Sequence, residues 1–324
     1  MLDARTTVAV LKAAAEPTRL RILLLLAGGD LNVKDLTRIL GQSQPRISRH
    51  LKLLTDAGVI ERAREGSWVY FQLSSDPILE PLVRGLVTRV DSEDPVIARD
   101  RARADQLKAE RERAAQTYFR SHAAEWDRIR ALHVGEQEVE AAMTAMLAER
   151  PPADLLVDLG TGTGRMLQLF AGRFRRAIGY DANTEMLAYA RSKLGAAGLT
   201  EAQVRHGDIY DVQLADGSAD VVVMHQVLHF LTDPGAAVRE AARLLAPAGR
   251  LLIVDFAPHD LDYLRDQFAH ERLGFSRAAI DQLMTEAGLA PAGYRELAPK
   301  SHKSDGDDRL TVSVWIGTKK TARA

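Results

Sequence analysis

The chain has 324 residues, 43 Lys and Arg against 44 Asp and Glu, and no cysteine. That length predicts two domains, the missing thiols exclude disulfides, thiolate metal sites and cysteine nucleophiles, and a formal net charge of −1 excludes a global nucleic-acid field. The apolar run LRILLLLAGG is too short to span a bilayer and is flanked by arginine and aspartate, so no membrane span or secretory signal is expected and the protein is read as cytoplasmic.

In chain order, TTVAVLKAAAEPTRLRILLLLAGG reads as two helices separated near Glu16 and Pro17, because proline is tolerated only in a helix's first turn. LNVKDLTRIL is a third short helix. The turn GQS leads into QPRISRHLKLLTDAG, with Ser43 placed to cap and Pro45 in the first turn. Ile47, Leu51 and Leu54 recur at helical spacing and should face a core, leaving Gln44, Arg46, Ser48, Arg49 and Lys52 outward. Two helices joined by a short turn, the second polar and basic at its start, form a helix-turn-helix. VIERAREGSWVYFQL alternates on either side of REGS and predicts a hairpin wing, with Arg64 near its tip and Trp68 and Tyr70 on the return strand.

From about residue 6 to 75 the chain is similar to the ArsR/SmtB family of dimeric bacterial repressors, on AAAEPTRLRILLLL, DLNVKDLTRILGQSQPRISRHLKLLTDAGVI and REGSWVYFQL. The resemblance implies a homodimer that places Ser43, Gln44, Arg46, Ser48, Arg49 and Lys52 at the major groove of operator DNA, with Arg64 on phosphate or in the minor groove. The other reading is a solvated basic face on a protein-interaction winged helix; the clustering of Arg46, Arg49 and Lys52 favours DNA. Metal-sensing members carry cysteines in the helix that here reads DLNVKDL. Asn32 and Lys34 offer no thiolate, so soft-metal sensing is chemically unavailable there.

Leu79, Leu82, Val83, Leu86 and Val90 share one helix face, which in that family would join the N-terminal helix in a dimer interface. DSEDP interrupts it. From Ala98 to Gln116 there is almost no large apolar residue, and Arg101 with Asp105 and Lys108 with Glu112 stand four apart, as in a solvated helical connector. The expected division is a winged-helix DNA-binding and dimerisation domain over 1–91, a charged helical linker over 92–117 and a second domain over 118–324.

The second domain is organised around DLLVDLGTGTG. The apolar run Leu155, Leu156, Val157, Leu159 predicts a buried parallel strand, which breaks into Gly160, Gly162 and Gly164 before the helical run RMLQLFAGRF. A second strand, RAIGYD, ends in Asp181, about twenty residues beyond Gly160, where a carboxylate can accept hydrogen bonds from both ribose hydroxyls of an adenosine ligand. EAQVRHGD and DVVVMHQVLHFL are the third and fourth strand candidates. The spacing GxGxG differs from the GxGxxG of dinucleotide binders, and Asp158, two residues before Gly160, can bind an ammonium group but would repel a pyrophosphate. A ligand cationic at one end and adenosine at the other fits both demands.

Residues from about 118 to 318 resemble a class I S-adenosylmethionine-dependent methyltransferase of the ubiquinone/menaquinone-biosynthesis-like type, on VDLGTGTG, Tyr180 with Asp181, GDIYD, MHQVLHFL and AARLLAPAGRLLIVDF. The resemblance implies an α/β Rossmann-like domain with a seven-stranded, mostly parallel sheet. By that resemblance Asp158 and Gly160 hold the methionine moiety, Asp181 the ribose, and Asp208 the adenine amino group with Ile209 on the ring; Thr161, Gly162, Ala182, Met186 and His225 complete the set. YFRSHAAEWDRIR resembles a helix lying over the cofactor, with Tyr118 and Trp126 as contacts, although Trp126 could equally pack that helix on the sheet.

Methyl transfer is an in-line displacement, so a base is needed only if the acceptor keeps a proton; His225, His229, Asp255 and His259 are the candidates. The histidine spacings, His270 included, match no tight ligand motif, and no metal is expected. The absence of cysteine argues against an arsenite methyltransferase. Two functions stay open. One is a DNA-binding repressor whose second domain binds S-adenosylmethionine or S-adenosylhomocysteine, resembling regulators of methionine-cycle genes with the same domain order. The other is a working small-molecule methyltransferase with an autoregulatory or dimerising winged helix.

Overall fold

The computed structural model describes residues 2–65, 68–74, 76–126, 135–147, 153–299 and 310–321. The chain divides into two compact units, Met1–Arg111 and Glu112–Ala324.

The first unit opens with α1 (Ala4–Ala14), capped by the Asp3 side chain, and α2 (Pro17–Leu26), where Pro17 stands in the first turn and the Glu16 carboxylate accepts from Arg19 N. After the short strand β1 (Leu31–Asn32) come α3 (Val33–Leu40) and α4 (Gln44–Asp56), joined through Gly41 at φ 65°. The strands β2 (Ile60–Glu65) and β3 (Trp68–Leu73) pair antiparallel, and β1 adds to the free edge of β3 to give the order β1-β3-β2. This is a winged helix. Ile22, Leu23, Leu36, Ile39, Ile47, Leu51 and Leu54 fill its core. The helix α5 (Glu80–Val87) lays Val83 into the same core with Leu79, Leu82 and Leu86 packed beside it.

Ser43 takes the extended backbone of an N-cap, yet its hydroxyl makes no bond to α4. The expected side-chain cap fails for a local reason. A cap bonds the second or third N–H of a helix, Pro45 has none at the second position, and Arg46 N is already given to the Ser43 carbonyl at 3.1 Å.

The long helix α6 (Pro95–His122) corrects the expectation of a solvated connector. Asp100, 3% exposed, receives both Arg21 nitrogens at 2.5 and 2.8 Å; Arg103 donates to the Ile39 carbonyl; Arg111 donates to Asp35 at 2.7 Å; and Leu107 joins the core. Charge along this helix is spent on buried partners, a pattern that apolar periodicity does not register.

In the second unit, α7 (Glu136–Leu147) precedes β4 (Ala153–Leu159), α8 (Arg165–Leu169), β5 (Phe174–Asp181), α9 (Thr184–Ala196), β6 (Ala202–His206), β7 (Ala219–His225), α10 (Pro234–Leu244), β8 (Leu245–Phe256), α11 (Tyr263–Phe268), α12 (Arg277–Glu286), β9 (Leu289–Leu297) and β10 (Val312–Lys319). The seven strands form one sheet in the order β6-β5-β4-β7-β8-β10-β9, parallel except where β10 pairs with β8 and β9. Because successive strand residues point to opposite faces, Leu155, Val157 and Leu159 pack with Ala241, Ile280 and Trp315 on one side, while Leu156 packs with Met143, Met166 and Val254 on the other. Helices on both faces of a mostly parallel sheet put the ligand crevice at the carboxyl ends of β4, β5 and β7. No helix among the described residues is long and apolar enough to cross a membrane.

Candidate functional site

A cavity of about 320 Å³ opens at that carboxyl edge. Its floor is the turn after β4, where Gly160, Gly162 and Gly164 have φ of 74°, 52° and 82°, in the left-handed region that side chains disfavour. Gly160 is also short of room, since a Cβ there would overlap a Val227 methyl. The turn is tied down from beneath: Gly160 N and Thr161 N both donate to the Tyr180 carbonyl at 2.9 Å, and Thr161 Oγ1 donates to Asp158 Oδ2 at 2.6 Å.

The carboxylate of Asp181 is held between Gly162 N and Asn183 N, each at 2.8 Å and each on a different oxygen. Burial pushes this carboxyl up, opposed by those two N–H groups, by His206 and by the Ala182 N–H. Asn183 caps α9 with its side-chain oxygen and donates its amide to Gln116 on α6. Past β6, Asp208 takes Tyr210 N at 2.9 Å, and burial raises the Tyr210 hydroxyl to about 12. Glu112, Asp158, Asp181 and Asp208 all line the cavity, whereas its Arg165 is engaged by Glu140 at 2.7 Å on both nitrogens. The balance of charge favours a cationic ligand.

Asp158, Gly160, Thr161, Gly162, Asp181, Ala182, Met186, Asp208, Ile209 and His225 are brought together around this one cavity, and Trp126 lines it too. Tyr118 is not part of the lining, which corrects that expectation. Glu112, Ala115, Gln116 and Phe119 follow the i, i+3, i+4, i+7 rule of one helix face, and Tyr118 lies about 100° round the helix, against His122 and Phe268. Phe119 instead meets Phe230 at 4.7 Å and Trp126 at 5.2 Å, ring edge to face. Sequence reasoning missed Glu112, Gln116, Phe119 and Phe230.

Of the candidate bases only His225 lines the cavity. His229 and Asp255 lie behind Phe230 as a buried pair, His229 Nδ1 being 2.7 Å from Asp255 Oδ1. His259 is held neutral, its value pushed down to about 4 by burial and then by His229. No group of three or more His, Cys, Asp or Glu among the described residues could hold a metal ion.

In the first unit, Ser43, Gln44, Arg46, Ser48, Arg49 and Lys52 are all exposed along α4. Lys52 is tied to Asp56 at 2.8 Å. His50, inside this face, is pushed below its ordinary value by burial, reinforced by Arg19, Arg46 and Arg49 against the opposing pull of Glu16. The backbone of Arg64 pairs with Val69 in the wing, while its side chain lies outside the described residues. Where metal-sensing relatives would need thiolates, Asn32 and Asp35 form a capping box: Asn32 Oδ1 takes Asp35 N at 3.0 Å and Asp35 Oδ2 takes Asn32 N at 3.3 Å.

Comparison with known proteins separates the same two parts. Residues 16–62 match the bacterial regulatory protein arsR family, and residues 157–253 match a methyltransferase domain. The arsenic resistance transcriptional regulator ArsR1 of Pseudomonas putida is 40% identical over 90 residues, covering 27% of this chain and 70% of that protein. The arsenite methyltransferase of Aquipseudomonas alcaligenes is 36% identical over 110 residues, covering 31% of this chain and 32% of that protein. The chain spans less than half the length of the methyltransferase relatives it matches. A chain solved together with a Haloferax volcanii methyltransferase activator superposes with a TM-score of 0.53 at 22% identity, covering 65% of this chain and 99% of that one, and shows the fold. The winged helix with its exposed basic helix, the doubly covered sheet with its glycine turn, and these matches lead to one conclusion: the chain belongs to the arsR family of bacterial regulatory proteins and carries a methyltransferase domain C-terminal to its DNA-binding module.

Proposed function

We propose that the protein is a DNA-binding transcriptional repressor whose methyltransferase domain binds S-adenosylmethionine or S-adenosylhomocysteine and so alters operator affinity, with methionine-cycle genes as targets. The observation that carries this reading is Asp181. It closes β5 at the cavity wall, each oxygen oriented by a main-chain N–H, about twenty residues beyond Gly160, the place where a carboxylate accepts from the paired hydroxyls of a ribose. The residues present fit such a ligand. The cavity has the volume of a small-molecule site, four carboxylates suit a positive charge, and the crowding at Gly160 brings main chain rather than side chain to the ligand. In this reading Asp158 and Gly160 hold the methionine end, and Asp208 with Ile209 holds the adenine.

DNA contact falls to the exposed face of α4, through Gln44, Arg46, Ser48 and Arg49. Homodimerisation through the first unit is supported by Val8 and Leu11 on α1, 48% and 43% exposed. The test is operator affinity at fixed salt, without ligand and with saturating S-adenosylmethionine or S-adenosylhomocysteine. A tenfold change with either ligand corresponds to about 1.4 kcal/mol of coupling and supports the sensor. Affinity indifferent to both ligands refutes it and leaves the second reading, a small-molecule methyltransferase with a DNA-binding appendage.

A further inference from the structure

Directly behind the ligand cavity lies a second polar centre that neither family match assigns. His229, on a 3-10 turn at Leu228–Phe230, and Asp255, near the end of β8, have side chains only 3% and 0% exposed. The Asp255 carboxylate takes the His229 ring nitrogen at 2.7 Å, His229 N at 3.3 Å and Phe256 N at 2.8 Å. Two further histidines close on the pair. The His270 ring lies 4.2 Å from that of His229, and His259 Nε2 is buried with no hydrogen-bond partner. Gln226, at φ 50° where β7 breaks into the turn, leads into the segment that carries His229, and Ala269, at φ 57°, ends α11 as its left-handed cap immediately before His270. One ring separates the centre from the cavity: Phe230 lines the cavity and lies 3.9 Å from the His229 ring.

We propose that His229 is the catalytic base, and Asp255 its positioning residue, for methyl transfer to a hydroxylated aromatic small molecule that docks at Phe230, the ring between the cavity and His229. The inference rests on the proposed S-adenosylmethionine reading of the cavity. Asp255 fixes the proton on His229 Nδ1, leaving the Nε2 lone pair for the acceptor. The acceptor O–H gives its proton to Nε2, the oxygen forms a bond to the methyl carbon, and the carbon–sulfur pair leaves with sulfur, so that a sulfonium and a hydroxyl become a thioether, an ether and an imidazolium proton. A flat apolar acceptor follows from the walls, Phe119, Trp126 and Phe230. The charged or titratable groups facing His229 are Asp255, His259 and His270, with Arg265 acting on His259 and Arg272 lending its backbone N–H to the His229 carbonyl.

Two measurements on the full chain test this. Long-range 1H–15N spectra of histidine-labelled, ligand-free protein should show His229 as the neutral Nδ1–H tautomer, assigned with His229→Gln, and Asp255→Asn should abolish that preference. The Nε2–H tautomer, or no response to Asp255→Asn, overturns the pair. Release of S-adenosylhomocysteine from S-adenosylmethionine is then followed with catechol or 2-naphthol as acceptor and with arsenite as a base-independent control. Turnover of the phenolic probes should fall about 100-fold or more in His229→Gln, with calorimetric S-adenosylmethionine affinity within about twofold of wild type. Wild type that binds S-adenosylmethionine but methylates neither phenol, phenol turnover unchanged in His229→Gln, or arsenite turnover that falls in His229→Gln as far as phenol turnover does, overturns the inference. Wild type that fails to bind S-adenosylmethionine overturns the cavity reading instead.

Discussion

Replacing Gly160 with alanine tests how the glycine turn is built. At φ 74° an L side chain costs about 1–2 kcal/mol. The added methyl also overlaps Val227 Cγ2 and comes within 3.0 Å of its Cβ, and forcing a methyl into a packed site costs a further ~1–3 kcal/mol. Gly160→Ala should therefore destabilise the second unit by about 2–5 kcal/mol, a substantial share of the roughly 5–15 kcal/mol by which a domain is stable. In a Trp68→Phe background the remaining tryptophans, Trp126 and the fully buried Trp315, both belong to this unit, so urea unfolding followed by their fluorescence reports it. Val227→Ala removes the overlapping methyl and leaves the backbone strain untouched, so the double variant should recover roughly 1–2 kcal/mol as a coupling energy. A single variant within about 0.5 kcal/mol of wild type, or no recovery in the double variant, would refute the packing argument.

Three further outcomes follow from the sites. Asp181→Ala should weaken S-adenosylhomocysteine binding more than tenfold with little change in thermal midpoint, since burial already disfavours this charge; unchanged calorimetric affinity removes Asp181 from the ligand's partners. Arg49→Ala, on the exposed face of α4, should weaken operator binding and flatten its salt dependence, and an unaltered gel-shift titration would move the DNA contact elsewhere. Because His259 titrates near 4 when folded and near 6.5 when unfolded, the unfolded chain binds the extra proton between those values, so stability should fall as pH drops through that window. His259→Gln should flatten this slope; a variant with the wild-type pH profile of unfolding would assign the slope to other groups.

The parts of the site that were legible in the sequence are those built by local grammar. Asp158, Gly160 and Asp181 stand at strand ends and turns whose residue types are dictated within a few positions, and Ile47, Leu51 and Leu54 mark the buried face of α4 by period alone. Phe119 was not legible, because α6 has too little apolar contrast to fix which face turns inward, and a one-residue error moves the contact to Tyr118. Asp100 and Leu107 were hidden for the same reason. The pairing of His229 with Asp255 depends on the parallel alignment of β7 with β8, which brings the segments after those strands together, and no spacing in the sequence reports it.

The place of β10 has a consequence for synthesis. Residues 312–319, the last strand of the second unit, lie between β8 and β9 and carry the buried Trp315, so an emerging chain cannot close the sheet until they have left the ribosome. The winged helix has no such dependence, since every strand and core residue of that unit, with its Arg21–Asp100 and Asp35–Arg111 pairs, lies within residues 2–111. Each nascent molecule thus acquires a folded winged helix well before its methyltransferase domain can form, with the unfinished sheet exposed as a target for chaperones in the interval.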